Sequence, residues 1–125
     1  MDKLKIFLSG SFTENKKDFD LIEGLLTDAG KHGNIEIVRM DKYWESQTDH
    51  DTSNFEKIDY WLIDLDFMLD CTVVVFCKGW ENHAGCRLEH KFAESMGMLI
   101  FDQDAIIKID REKPVEAKEW NDEED

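Results

Sequence analysis

Between Cys71 and Cys77 the chain reads Cys-Thr-Val-Val-Val-Phe-Cys, and nothing else in it restricts the fold as much. β-Branched side chains are stiff at χ1 and pack better on an extended chain than in a helix. A strand that is apolar at every position has no face to give to water. Thr72 to Phe76 is therefore expected to lie inside a parallel sheet, covered by helices on both sides.

The flanking segments agree with that placement. Leu4-Lys5-Ile6-Phe7-Leu8 is a short apolar run that ends at Ser9-Gly10-Ser11, a strand entering a tight turn. A helix follows, with Phe19, Ile22, Leu26 and Ala29 on one face and Gly30 and Gly33 to end it. Ile35 to Val38 reads as a second strand, and residues 40 to 52, polar and without period, as the longest loop. Ser53-Asn54-Phe55-Glu56 has the form of a capping box, after which Phe55, Ile58, Leu62, Leu65 and Leu69 mark a buried helical face. From Gly85 the period is helical again, with Leu88, Phe92, Ala93 and Met96 inward and Gly97 as the stop. Met98 to Phe101 and Ala105 to Ile109 are expected to be two last strands. The sum is an α/β chain: a three-layer, flavodoxin- or Rossmann-like parallel sheet of five strands, with right-handed crossovers and helices on both faces. Residues 1–110 would form the domain and 111–125 an acidic tail around Trp120.

Charge and cysteine usage exclude several functions. With 29 acidic and 15 basic residues the net charge is −14, which repels a phosphate polymer, so no nucleic-acid partner is expected. Cys71, Cys77 and Cys86 are an odd number without C-x-x-C spacing, and read as reduced core thiols. His32, His50, His83 and His90 have no metal-ligand spacing, and neither a metal nor an organic cofactor is expected. There is no run of apolar residues long enough for a membrane span and no basic-then-apolar leader, so a cytoplasmic protein is the expectation.

Ligands of open parallel sheets bind beyond the carboxyl ends of the strands. Here those ends carry Ser9, Gly10, Ser11 and Phe12, then Arg39 to Tyr43, then Lys78 to Gly85. Ser-Gly-Ser at a strand-to-helix turn suits a phosphate or a sugar hydroxyl, and equally suits a plain turn. Glu89 lies one turn into its helix at the inward edge. The positive helix end would hold it ionised, as a fixed anionic nucleophile or electrostatic stabiliser; the ordinary alternative is a glutamate kept for helix stability. Asp64 borders the apolar face of the preceding helix, whereas Asp59 and Asp66 read as solvated. Phe12 and Trp80 offer rings for a flat base, His83 a donor or proton shuttle, and Arg87 a cation for a phosphate or a surface ion pair.

Three stretches, "KIFLSGSF", "DLDFMLDCTVVVF" and "GWENHAGCRLEHKFAESMG", together resemble the small nucleoside 2-deoxyribosyltransferase-like superfamily, over roughly residues 3 to 101. The last stretch, a Gly-Trp-Glu loop and a Gly-x-x-x-Glu helix start, is its most specific part. The resemblance implies cleavage of the N-glycosidic bond of a nucleoside or nucleoside 5′-monophosphate, by hydrolysis or by deoxyribosyl transfer. It implies that Glu89 is the nucleophile, that Asp64 contacts the sugar or base, and that Ser9, Gly10 and Ser11 line the site. It also implies a homo-oligomer, most simply a dimer, and the aromatic surface of Tyr60 and Trp61 agrees with that. This chain has Thr72 where relatives commonly have aspartate, and His83 where they commonly have serine or aspartate. A histidine there favours a 5′-monophosphate, with Asp64 or its water protonating the departing base. The competing function is non-catalytic binding or sequestration of a nucleotide or nucleotide-derived signal by the same fold. A protein-interaction domain working through the acidic tail is a third.

Overall fold

The structure is a computed structural model that describes residues 4–29, 34–46 and 56–112. Its elements follow in the order β1 (Leu4–Ser9), α1 (Lys16–Ala29), β2 (Ile35–Arg39), α2 (Met40–Ser46), α3 (Lys57–Met68), β3 (Val73–Phe76), α4 (Ala84–Ser95), β4 (Leu99–Asp102) and α5 (Gln103–Glu112), with a 3-10 turn at Trp80–Asn82 before α4. Among the described residues the sheet has four strands, all parallel, in the order β2-β1-β3-β4. The fold is thus α/β, as Thr72 to Phe76 requires: Val73, Val74, Val75 and Phe76 are all buried.

Alternation across the pleat sends the two sets of strand residues into separate cores. Ile6, Leu8, Val73 and Val75 pack with Phe19 and Ile22 of α1 and Ile106 of α5. Phe7, Val74 and Phe76 pack on the other face with Met40 of α2, Met68 of α3 and Ala93 of α4. Helices α1 and α5 therefore form one outer layer, and α2, α3 and α4 the other.

Four expectations are corrected. Ala105 to Ile109 is helical, so the fifth strand does not exist there: Asp102, the last residue of β4, accepts the Ala105 N–H at 2.7 Å as an N-cap, and the stretch continues as α5. Three isoleucines in five residues imitate a strand, but only Ile106 is buried and Ile109 is exposed. Met40 to Ser46 is helix α2, not loop. Helix α3 starts later than expected, with Glu56 as N-cap and its N–H bonded to Asp59 at 2.7 Å, so Asp59 is a capping carboxylate and not a free charge. Finally Leu62, Leu69 and Met96 are exposed, because the inward stripe of α3 runs through Asp64 and Met68 and that of α4 through Cys86, Glu89 and Ala93. Gly97 does end α4, in the left-handed region at φ 69°. Ser53 to Phe55, Gly30, Gly33, His32, His50 and the tail from residue 113 lie outside the described residues.

No helix among the described residues is long and apolar enough to cross a membrane.

Candidate active site

A cavity of about 510 Å³ opens where β1 and β3 end, at the switch in strand order. Ser9, the last residue of β1, stands beside Phe76, the last of β3. The turn after β1 is held by Asn15, whose side chain accepts the Ser11 N–H at 2.8 Å and donates to the Lys78 carbonyl at 3.1 Å and to Asp18 at 2.7 Å. Gln103 continues this network, donating to Asp18 at 2.7 Å and accepting the Lys78 N–H at 2.9 Å. Three buried or half-buried polar side chains thus lock the loops after β1 and β3 to α1 and α5, satisfying backbone groups that no strand or helix pairs.

Gly10 is needed by the packing of the turn itself. A Cβ there would lie 2.9 Å from the Cβ of Cys77, so the turn packs against the end of β3 only without a side chain. Gly85, in the first turn of α4, is similar: its Cβ would lie 2.7 Å from Trp61 Nε1, so the bare backbone seats an indole from α3.

Glu89 and Asp64 meet in the cavity wall, both 6% exposed. The Ser9 hydroxyl donates to Glu89 Oε1 at 2.5 Å. The two carboxyls face each other within hydrogen-bonding reach. Asp64 Oδ1 also accepts the indole N–H of Trp44 at 3.3 Å. Burial pushes both carboxyls up, Glu89 to about 8 and Asp64 to about 6. The Ser9 hydroxyl opposes the shift at Glu89 and the neighbouring Asp64 charge adds to it, while Trp44 opposes the shift at Asp64. Two carboxyls this close titrate as a pair that holds one proton near neutral pH.

That overturns the expectation of a Glu89 kept ionised by its helix. Glu89 is the sixth residue of α4, past the first turn in which the helix end has its effect, and desolvation beside a second carboxylate outweighs what is left.

The rest of the expected site divides. Ser9, Gly10, Ser11, Phe12, His83 and Gly85 line the cavity with the two carboxyls. His83 Nε2 lies 3.5 Å from Glu14 at the rim. Trp80 does not line it: its ring stacks on His90 at 4.4 Å and packs on Phe76, facing the far side of the loop. Arg87 also points away and donates to the Glu81 carbonyl at 2.7 Å. A single residue of rotation about α4 separates these outcomes, since Cys86 and Glu89 turn inward and Arg87 between them turns out.

Sequence reasoning missed Thr13, Met40, Trp44, Tyr60, Trp61 and Cys86 as wall residues. Tyr60 and Trp61 had a readable signal, because they precede Asp64 by four and three residues and so share its helical face. Both residues line the cavity. Met40 and Trp44 had none once α2 was read as a loop. What anchors α2 is Arg39, a buried guanidinium bonded to Asp41 at 2.7 and 3.0 Å and to Asp20 and Glu23 of α1 at 2.7 and 2.8 Å, lying over the Phe19 ring. Asp41 and Glu23 are held below the usual carboxylate range by that cation, against the upward push of burial.

Burial pushes the Cys86 thiol up to about 11, with the nearby Ser9 hydroxyl opposing the shift. Among the described residues no group of three or more His, Cys, Asp or Glu is placed to hold a metal ion.

No curated protein matches the chain. Every residue that lines the cavity falls within residues 5–102, the span matched by a family model described as a domain of unknown function (DUF4406), and the chain belongs to that family.

Proposed function

We propose that the protein cleaves the N-glycosidic bond of a nucleoside or nucleoside 5′-monophosphate, by hydrolysis or by deoxyribosyl transfer. The observation that carries this reading is the pair Glu89 and Asp64, sharing one proton in the wall of a cavity that Phe12, Trp44, Tyr60 and Trp61 make aromatic. The resemblance of the sequence to the nucleoside 2-deoxyribosyltransferase-like superfamily supports it.

The reaction needs what such a pair supplies. As the C1′–N bond breaks, its electron pair leaves with the base and the anomeric carbon gains oxocarbenium character. The base takes up a proton, and an anion must face the carbon. The pair shares one proton across the bond between its two carboxyls. Passage of that proton to Asp64 leaves Glu89 as the carboxylate that stabilises or captures the anomeric carbon, and makes Asp64 the acid that protonates the base. Water, or the N–H of an incoming base, then attacks C1′, releases Glu89 and returns one proton to the pair. Ser9 holds Glu89 Oε1 throughout. The aromatic rings offer stacking faces for the base, and Ser11, Thr13 and His83 at the rim offer donors to a sugar hydroxyl or a 5′-phosphate.

Incubation with a panel of nucleosides and their 5′-monophosphates, with free base read by chromatography, tests the proposal. Base release that disappears in Glu89→Gln supports it. Saturable binding of a nucleotide, without base release from any member, would replace it by the sequestering module. The implied homodimer is tested by sedimentation at micromolar concentration, where a single 14.7 kDa species would refute it.

A further inference from the structure

Helix α2 contributes one polar atom to the carboxyl pair, and it is not a titratable one. Trp44 Nε1 is 3.3 Å from Asp64 Oδ1. The indole has no choice of role, since its N–H donates and cannot accept. Asp64 must therefore present an unprotonated oxygen to it. On the other side of the pair, the Ser9 hydroxyl donates to Glu89 Oε1. One oxygen of each carboxyl is thus occupied by an outside donor, and the proton of the pair is left to the oxygens that face each other.

The indole is itself fixed. Its ring meets Tyr43 edge-on at 5.1 Å and Tyr60 at 5.0 Å, and α2 is tied to α1 through Arg39 and through Lys16 to Glu45 at 2.7 Å. The titratable groups that line the same cavity are Glu89 and Cys86 from α4, Tyr60 from α3 and His83 from the turn before α4, and no lysine or arginine is among the lining residues. With no lysine or arginine at hand, the neutral donors Trp44 and Ser9 each hold one of the two carboxyls.

We infer that Trp44 is a positioning residue: through its indole N–H it fixes the orientation of the Asp64 carboxyl and lowers that carboxyl's affinity for the proton of the pair. Its catalytic consequence rests on the glycosidic reading above; its effect on the pair does not. With the donor present, Asp64 is the stronger acid once it receives the proton, which suits it to protonate a departing base. Without the donor, the pair binds its proton more tightly and releases it less readily.

The test is Trp44→Phe, which keeps a smaller aromatic ring between Tyr43 and Tyr60 and removes the N–H. Side-chain carboxyl resonances of the ¹³C-labelled protein, followed over pH, report Asp64 and Glu89 without any substrate. The Asp64 titration is expected to move up by about one pH unit, an approximately tenfold gain in proton affinity, as befits the loss of one hydrogen bond to a charged group. An unmoved titration overturns the inference. Glu45→Gln loosens the anchoring of α2 but keeps the indole, and an equal shift there would also overturn it, because the position of the helix and not its N–H would then be the cause. Should Trp44→Phe fail to fold, the wild-type indole N–H resonance of Trp44 decides: it must move with the titration of the pair, and a flat response overturns the inference. Where base release is measurable, the high-pH limb of kcat in Trp44→Phe moves up by the same unit. Absence of base release in the wild-type protein sinks the glycosidic reading and leaves the carboxyl titration to decide this one.

Discussion

Replacing Glu89 by glutamine should make the protein more stable at high pH, and the effect comes from one proton. Glu89 in the folded chain titrates near 8 because it is desolvated beside Asp64, whereas in the unfolded chain it titrates near 4.5. A folded-state value raised above the unfolded one contributes stability that is complete below the unfolded value and is lost as pH rises through the folded one. Between about pH 5 and pH 8 the native state holds the Glu89 proton that the unfolded state has released, so this group's contribution to stability falls by about 1.4 kcal/mol per pH unit, up to about 4 kcal/mol over the window, and Asp64, raised to about 6, adds a slope of its own below that value in both proteins. Glutamine imitates the protonated acid: its amide N–H₂ can donate to Asp64 and its carbonyl can accept from Ser9, so geometry persists while the Glu89 slope disappears. Urea denaturation of both proteins at half-unit steps from pH 5 to 8.5 is the assay. The curves should nearly meet at pH 5 and diverge above it with the variant on top. Parallel curves, or a wild-type excess that grows with pH, would show that Glu89 is ionised in the folded protein and would refute the shared proton.

Further outcomes are expected of other residues. If base release is found, Glu89→Gln should lower it by roughly two to four orders of magnitude, the scale of a lost preorganised electrostatic group, while Glu94→Gln, on the exposed side of α4, should leave it within a factor of about two. Gly10→Ala should cost about 1–3 kcal/mol in thermal or urea unfolding, because its methyl meets the backbone-fixed Cβ of Cys77; Gly85→Ala should cost less and instead weaken ligand binding, because the Trp61 indole can pivot into the cavity. Arg39→Met should destabilise by about 3–5 kcal/mol, since it leaves Asp41 buried without its cation, and Asp41→Asn in the same background should recover part of the loss.

The sequence by itself determined the α/β class, four of the five expected strands, and the two poles of the candidate site. An all-apolar β-branched strand can exist only between two helical layers, and that one fact places Ser9 and the start of α4 at the same end of the sheet. Glu89 could be picked out because helical spacing puts it on the face of Cys86 and Ala93. Other features depended on partners that no local pattern names. Ala105 to Ile109 has the composition of a strand, and became a helix because Asp102 caps it and Ile106 alone finds a core to enter. Residues 40 to 46 have little apolar period, and became a helix on the strength of Arg39 and its three carboxylates from two elements. Trp80 and Arg87 had suitable chemistry in a suitable loop, yet turned away because His90 and the Glu81 carbonyl took them. The proton of the pair was the least legible of all. Its place depends on desolvation, on a second carboxylate 25 residues away in sequence and on an indole from a third helix, and these meet only when the chain is folded.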